Sequence, residues 1–231
     1  MNASPTSNPL LFYFDFLSPY AYLAWCEIHN LAARHQREVV PIPVLLAALL
    51  RAHGQRGPAE IAPKREYIFK HVFRLAQEMG RPFSYPAHHP FNPLLPLRLV
   101  SLDLPRAIQK YLIDRCFAAL WAGPEGLAST DSLRLLLGTL PAMFPEVSGL
   151  APEELIAAAE SDTTKAKLRA QTEEAIAKGV FGVPTICVDG ELFWGLDSLP
   201  HVDRFLSGRD PINSEVMAQL AAMQPLLPQR S

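Results

Sequence analysis

Cysteine is scarce and poorly placed for cross-linking. Cys26, Cys116 and Cys187 are three in number and far apart. An odd count with no short spacing argues against a disulfide framework and supplies no metal-ligand pattern. Cys116 falls on an apolar helix face and Cys187 in a strand, so all three are expected as free, small core residues in a reducing cytoplasm. Basic clusters are missing too. The 21 Lys and Arg are scattered among 23 Asp and Glu, for a net charge of −2, which makes nucleic acid an unexpected partner. No apolar run approaches the ~18 residues of a membrane span. Residues 1–9 carry neither a basic region nor an apolar one, and are expected to form a loose polar leader, not a secretory signal. What remains is 231 residues, 49% hydrophobic and 19% charged, the composition of a globular protein of one domain or one with an insertion.

The stretch around which the rest is organised runs from Phe12 to Trp25. Its Phe- and Tyr-rich start reads as a buried strand over 10–16. Ser18-Pro19 then supplies an N-cap hydroxyl and a proline at the first helical position, predicting a helix over 19–35. Ala21, Ala24, Ile28, Leu31 and His35, spaced by three and four, are expected on its core face. A hydroxyl therefore sits where a buried strand becomes a helix N-terminus, a place suited to an anion or a thiolate. A serine there also caps its own helix, which is its ordinary structural role.

Residues 37–44 read as a second strand, parallel to the first. Pro41 and Pro43 cannot donate to a ladder, so it should lie at a sheet edge. From about 45 to 178 the pattern is helical, with a short helix at 45–51 and a loop at 53–63. The helix at 64–79 should bury Ile68, Val72, Leu75 and Met79, with Lys64, Tyr67, His71 and Arg74 on a polar stripe one face away. Residues 81–96 read as a proline-rich extended segment, and helices are expected at 105–121, 132–143, 153–160 and 163–178. His88-His89 has no third ligand at metal spacing and reads as loop. Two short strands after Pro184 should form a hairpin through Asp189-Gly190. Asp197-Ser198 should cap a helix to about Leu206, and a last helix should turn Ile212, Val216, Leu220 and Met223 inward.

A βαβ half and a ββα half sharing one sheet, with helices between them, is a thioredoxin-like α/β architecture carrying an all-helical insertion. Gly182-Val183-Pro184-Thr185 lies where that architecture holds a cis-proline facing the first helix, so Val183–Pro184 is expected to be cis and close to Ser18. Five motifs in register resemble the DsbA-like thioredoxin superfamily and, within it, the kappa-class glutathione transferases and 2-hydroxychromene-2-carboxylate isomerases. They are Phe14 to Leu23, Lys64 to Tyr67, Pro90 to Leu94, Gly179 to Thr185, and Phe193 to Asp197. The resemblance implies a thioredoxin-like, glutathione-binding domain over 1–46 and 179–231, and an inserted helical domain over 47–178. A homodimer is possible on the same ground.

Disulfide oxidoreductases of this fold carry Cys-x-x-Cys at the first helix. Here those positions are Ser18-Pro19-Tyr20-Ala21, which excludes dithiol exchange there. A thiolate must come from elsewhere, and the resemblance implies glutathione. It places Ser18 at the thiolate, Val183, Pro184 and Trp194 along the tripeptide, and Asp197 and Ser198 at the γ-glutamyl end. Asp-Arg is the usual pair at this last place, so Ser198 departs from the pattern. The resemblance puts Lys64, Tyr67 and Asn92 against a small aromatic carboxylate substrate, and His71 stands where an acidic residue is common. The implied reaction is glutathione-dependent cis–trans isomerisation of 2-hydroxychromene-2-carboxylate or a similar intermediate of aromatic catabolism, by reversible thiolate addition. A kappa-type conjugating transferase is the enzyme alternative, and a non-catalytic thioredoxin-fold binding protein the third reading.

Overall fold

A computed structural model describes residues 8–123, 130–145, 149 and 151–223. Most of the polar leader, residues 1–7, lies outside the described residues. Four strands form one sheet in the order β2-β1-β3-β4. β1 (Leu10–Phe14) is central, parallel to β2 (Val39–Pro43) and antiparallel to β3 (Thr185–Val188), which pairs with β4 (Glu191–Trp194). A strand covered on both faces is apolar at nearly every position, and β1 buries Leu10, Phe12, Tyr13 and Phe14. β2 lies at an edge. Val44 N–H donates to Phe14 O, so even-numbered amides face β1 and the missing N–H groups of Pro41 and Pro43 face outward. At the hairpin tip Asp189 and Gly190 take φ of 51° and 94°, the two positive values that a type I′ turn needs.

Between β1 and β2 runs α1 (Pro19–Arg34), with Ser18 as N-cap and Pro19 at its first position. It buries Ala21, Ala24, Trp25, Ile28 and Leu31. His35 is not on that core face; it forms the C-cap, half-buried, with Nε2 2.9 Å from Asp203 Oδ1. After β2 come α2 (Leu46–Ala52), a 3₁₀ turn at Pro58–Glu60 and α3 (Ala62–Glu78). α3 buries Val72 and Ala76 fully, while Ile68, Leu75 and Met79 are only partly covered.

The segment read as extended to Pro96 instead turns helical at α4 (Leu94–Val100), where Pro96 sits in the first turn and has no intrahelical N–H to lose. α5 (Arg106–Trp121) follows. The single helix expected at 132–143 is two, α6 (Thr130–Leu137) and α7 (Leu140–Met143), parted at Gly138-Thr139, where the glycine lowers helix propensity. α8 (Pro152–Glu160) and α9 (Asp162–Ala177) lead back to the sheet. One apolar core joins the two regions: Phe14 and Phe16 pack on Phe117 of α5, and the cluster continues to Leu97, Leu133 and Leu168.

Beyond β4, a 3₁₀ turn at Leu196–Ser198 precedes α10 (Leu199–Leu206). Ser198 is its N-cap in an α conformation and makes no side-chain cap bond, which corrects the expected capping role. α11 (Ser214–Ala222) buries no residue. Ile212, Leu220 and Met223 are exposed, so the inward stripe expected there is absent; amphipathic spacing makes a helix without saying what covers it. Cys116 is buried, whereas Cys26 and Cys187 are partly exposed; all three are free. Among the described residues no helix is long and apolar enough to cross a membrane, and no group of three or more His, Cys, Asp or Glu is placed to hold a metal ion.

Candidate functional site

Ser18 caps α1 through Oγ, which accepts from Ala21 N–H at 3.1 Å. The same hydroxyl donates to Val183 O at 3.4 Å, across 165 positions of sequence. The Val183–Pro184 peptide is cis, as expected. Ser18 and Val183 are both buried, so the hydroxyl lies against the Val183–Pro184 turn at the start of a sixteen-residue helix. A donor–acceptor distance of 3.4 Å is long for an O–H···O bond, so little is lost when the hydroxyl turns toward another acceptor. Neither Val183 N–H nor Tyr20 N–H has a partner among the described residues. Two amides thus remain unpaired among the described residues, and the Ser18 hydroxyl is held by one long bond.

The turn that carries Ser18 is clamped from three sides. Asp15 accepts from Leu17 N–H through Oδ1 and from Leu46 N–H through Oδ2, both at 2.9 Å, tying the β1–α1 turn to the start of α2. Burial pushes the Asp15 carboxyl up to about 6, and the two amide bonds only partly oppose that. Trp121 Nε1 donates to Phe16 O at 2.8 Å. His89 Nε2 lies 3.0 Å from Leu17 O, and since a carbonyl only accepts, Nε2 carries the proton there. Burial is the main effect on His89 and lowers its affinity for a second proton. Of these three, only Asp15 left a sign in the sequence, as a lone acid within an apolar strand end. His89 and Trp121 act from 72 and 105 positions away and left none.

On the β4 side, Trp194 is 55% exposed, and its Nε1 sits over Gly182, where a β-carbon would stand 2.7 Å from it. Gly195 takes φ of 96° and donates to Pro184 O at 2.9 Å. The positive φ favours glycine there, and a β-carbon at Gly195 would displace Asp197 Oδ1. Asp197 is exposed and has no ion pair among the described residues. Its charge reaches Tyr20, whose phenol is raised first by burial, then by Tyr67 and Asp197. Ser198 is buried and donates from Oγ to Gly195 O at 2.7 Å. The turn at 194–198 therefore borders the first turn of α1.

Across from it, α3 presents Lys64, Tyr67 and His71 along one face. Lys64 is exposed with no ion pair among the described residues, and Tyr67 is 62% exposed. Tyr67 stacks on His71, with centroids 5.8 Å apart, and His71 Nδ1 lies 2.9 Å from Tyr20 Oη. Asn92 is exposed, and its Oδ1 accepts from Leu94 N–H at 3.0 Å, so it opens α4. Its amide Nδ2 has no partner among the described residues. Two clefts lie elsewhere, one between α1, β2 and α5 beside Trp25 and Arg106, the other at the start of α3 beside Arg65 and Phe69. Neither is lined by Ser18 or Val183, and a groove that holds an extended peptide need not be deep.

This arrangement is a thioredoxin sheet with a serine-capped first helix facing a cis-proline turn. Residues 10–207 match the DSBA-like thioredoxin domain. The chain belongs to that family. It is 30% identical over 194 residues to 2-hydroxychromene-2-carboxylate isomerase of Pseudomonas putida, covering 81% of this chain and 89% of that one. Glutathione S-transferase kappa 1 of Rattus norvegicus is 27% identical over 202 residues, covering 82% and 85%. A solved 2-hydroxychromene-2-carboxylate isomerase superposes with a TM-score of 0.72 at 25% identity, covering 94% of this chain and 99% of that structure. Within the DSBA-like family, the chain is therefore related to isomerases and kappa transferases, and it carries no cysteine at the four positions from Ser18 to Ala21.

Proposed function

We propose that the protein is a glutathione-dependent isomerase acting on 2-hydroxychromene-2-carboxylate or a closely similar aromatic-catabolism intermediate. The observation that carries this reading is the Ser18 hydroxyl at the N-terminus of α1, facing the Val183 carbonyl beside an unpartnered Val183 amide. Those groups fit a short peptide with a thiolate. Val183 can pair with an extended peptide backbone, and the Ser18 hydroxyl and the helix N-terminus can both stabilise a negative sulfur. Asp197, exposed and unpaired, suits an ammonium at the far end, with Trp194 forming the wall between.

Bound by Ser18, Val183 and Asp197, glutathione would supply a thiolate able to add reversibly to the ring-opened, conjugated form of the substrate, in which the cis double bond is free to rotate once made single. The chain's own residues bind and orient. Ser18 turns its hydroxyl from Val183 O toward the sulfur and lowers its basicity. Lys64 holds the substrate carboxylate, which its unpaired ammonium can do without first breaking an ion pair. Asn92 donates from Nδ2 to the oxygen where charge develops, since its Oδ1 is already engaged by Leu94. In this reading residues 1–46 and 179–231 hold glutathione, and residues 47–178 supply the substrate side. Ser198, tied to Gly195 O, contributes through its backbone unless that bond breaks.

A conjugating transferase is the second reading, favoured by the similarity to the kappa enzyme. The test is to follow 2-hydroxychromene-2-carboxylate spectroscopically with and without glutathione. Isomerisation that requires glutathione but does not consume it supports the proposal. Stoichiometric loss of glutathione supports the transferase, and no glutathione binding by calorimetry removes both.

A further inference from the structure

His71 of α3 meets the first turn of α1 through Tyr20. Its Nδ1 lies 2.9 Å from Tyr20 Oη, and its ring stacks on Tyr67 with an interplanar angle of 25°. Either group can be the donor of this bond; Tyr20 Oη donates where the His71 proton sits on Nε2. Burial, with Tyr67 and Asp197 nearby, raises the Tyr20 phenol above its ordinary value and keeps the hydroxyl protonated. A neutral imidazole that accepts at Nδ1 carries its proton at Nε2. His71 Nε2 has no partner among the described residues, and His71 is not fully buried.

Lys64, Tyr67 and His71 stand at i, i+3 and i+7 on one helix face, spanning roughly 10 Å at 1.5 Å of rise per residue. The stripe thus offers an ammonium at one end, a flat aromatic ring in the middle and, at the other end, an imidazole whose Nε2 has no partner among the described residues. Building on the reaction proposed above, we infer that His71, with its tautomer set by Tyr20, is the specificity residue for a ring oxygen of the aromatic substrate. Lys64 takes the carboxylate and Tyr67 stacks on the ring between them. His71 touches the substrate; Tyr20 acts through it as a positioning residue. An acidic side chain in place of His71 would repel a phenolate and leave the Tyr20 hydroxyl with a different acceptor.

The experiment compares two acids that differ only in the ring hydroxyl, trans-2-hydroxycinnamate and trans-cinnamate, titrated into the glutathione-loaded protein. The wild type should bind the hydroxylated acid about three- to tenfold more tightly, the size of one neutral hydrogen bond. His71→Leu should abolish that preference while leaving cinnamate affinity and glutathione affinity within twofold. His71→Gln, which keeps an N–H donor near the Nε2 position, should retain part of it, and Tyr20→Phe should reduce it. Long-range nitrogen-15 correlation spectra of the imidazole should show the Nε2–H form in the wild type and a tautomer mixture in Tyr20→Phe. A preference unchanged in His71→Leu, a wild type with no preference, or a wild type that binds neither acid overturns the assignment. Turnover of 2-hydroxychromene-2-carboxylate is measured separately. Preference without turnover sinks the reaction and keeps His71, whereas turnover without preference sinks His71 alone.

Discussion

The Ser18 hydroxyl and the Val183 carbonyl, 165 residues apart in sequence, meet at 3.4 Å where the two halves of the sheet come together. That meeting joins a helix N-terminus to a backbone segment free to pair, and neither alone would make a site. Ser18 without the cis-proline turn is a cap. The turn without a donor beside it is a bend before a strand.

Lys64 is the first place to test the substrate side. Lys64→Met should lower kcat/KM for a carboxylate substrate by roughly tenfold or more, because a hydrogen bond to a charged group is worth about 1.5–3 kcal/mol. Glutathione affinity should stay within twofold, and the melting temperature should not move, since an exposed lysine contributes almost nothing to stability. Equal loss of glutathione and substrate binding would count against this division of roles.

Gly195 tests the other end. Gly195→Ala places a side chain at φ of 96° and against Asp197 Oδ1, so Asp197 must shift. Glutathione should bind more weakly, while a Gly208→Ala control, at positive φ but in open space, should be destabilised without loss of affinity. Calorimetry on both variants separates backbone strain from displacement of Asp197.

Asp15 gives the protein an acid-side stability dependence of unusual sign. Its folded value is about 6 against 3.8 for an ordinary aspartate, so between those values the folded state holds more protons than the unfolded one. Stability from this group is therefore full below pH ~4 and falls as pH rises toward ~6, by about 3 kcal/mol at ~1.36 kcal/mol per unit. Urea midpoints across that window, compared with those of Asp15→Ala, isolate the effect from other carboxylates. The variant should lose the slope. At neutral pH the variant loses the two amide bonds to Leu17 and Leu46, about 1–3 kcal/mol, and is relieved of the cost of ionising a buried carboxylate, so the two effects offset.

Much of this was readable in the chain, and the reasons are local. Ser18-Pro19 declares a helix start, Asp189-Gly190 declares a hairpin tip, and the prolines of β2 declare an edge, because each residue type admits few backbone states. α4 was missed because Pro93 and Pro96 mask a helix whose first turn tolerates them. Asp197-Ser198 looked like a cap because the residue types are right, but the chain enters α10 from a 3₁₀ turn whose own bonds use the Ser198 hydroxyl. α11 has a helical apolar spacing and still lies exposed, since periodicity carries no information about a covering surface. The clamps on Ser18 from Trp121 and His89 are long-range contacts through ordinary-looking residues, and only the folded chain reveals them.

The thiolate titration of bound glutathione in wild type and Ser18→Ala tests the central claim most directly. A hydrogen bond to a charged group contributes roughly 1.5–3 kcal/mol and a helix N-terminus about 0.3–1, which at ~1.36 kcal/mol per unit lowers a thiol from ~8.5 to about 6–7. Ser18→Ala should raise that value by about 1–2 units and, through the lost cap to Ala21 N–H, reduce stability by ~1 kcal/mol. A variant with the lower melting temperature but an unmoved thiolate titration would show that Ser18 is only a cap, and would contradict the mechanism.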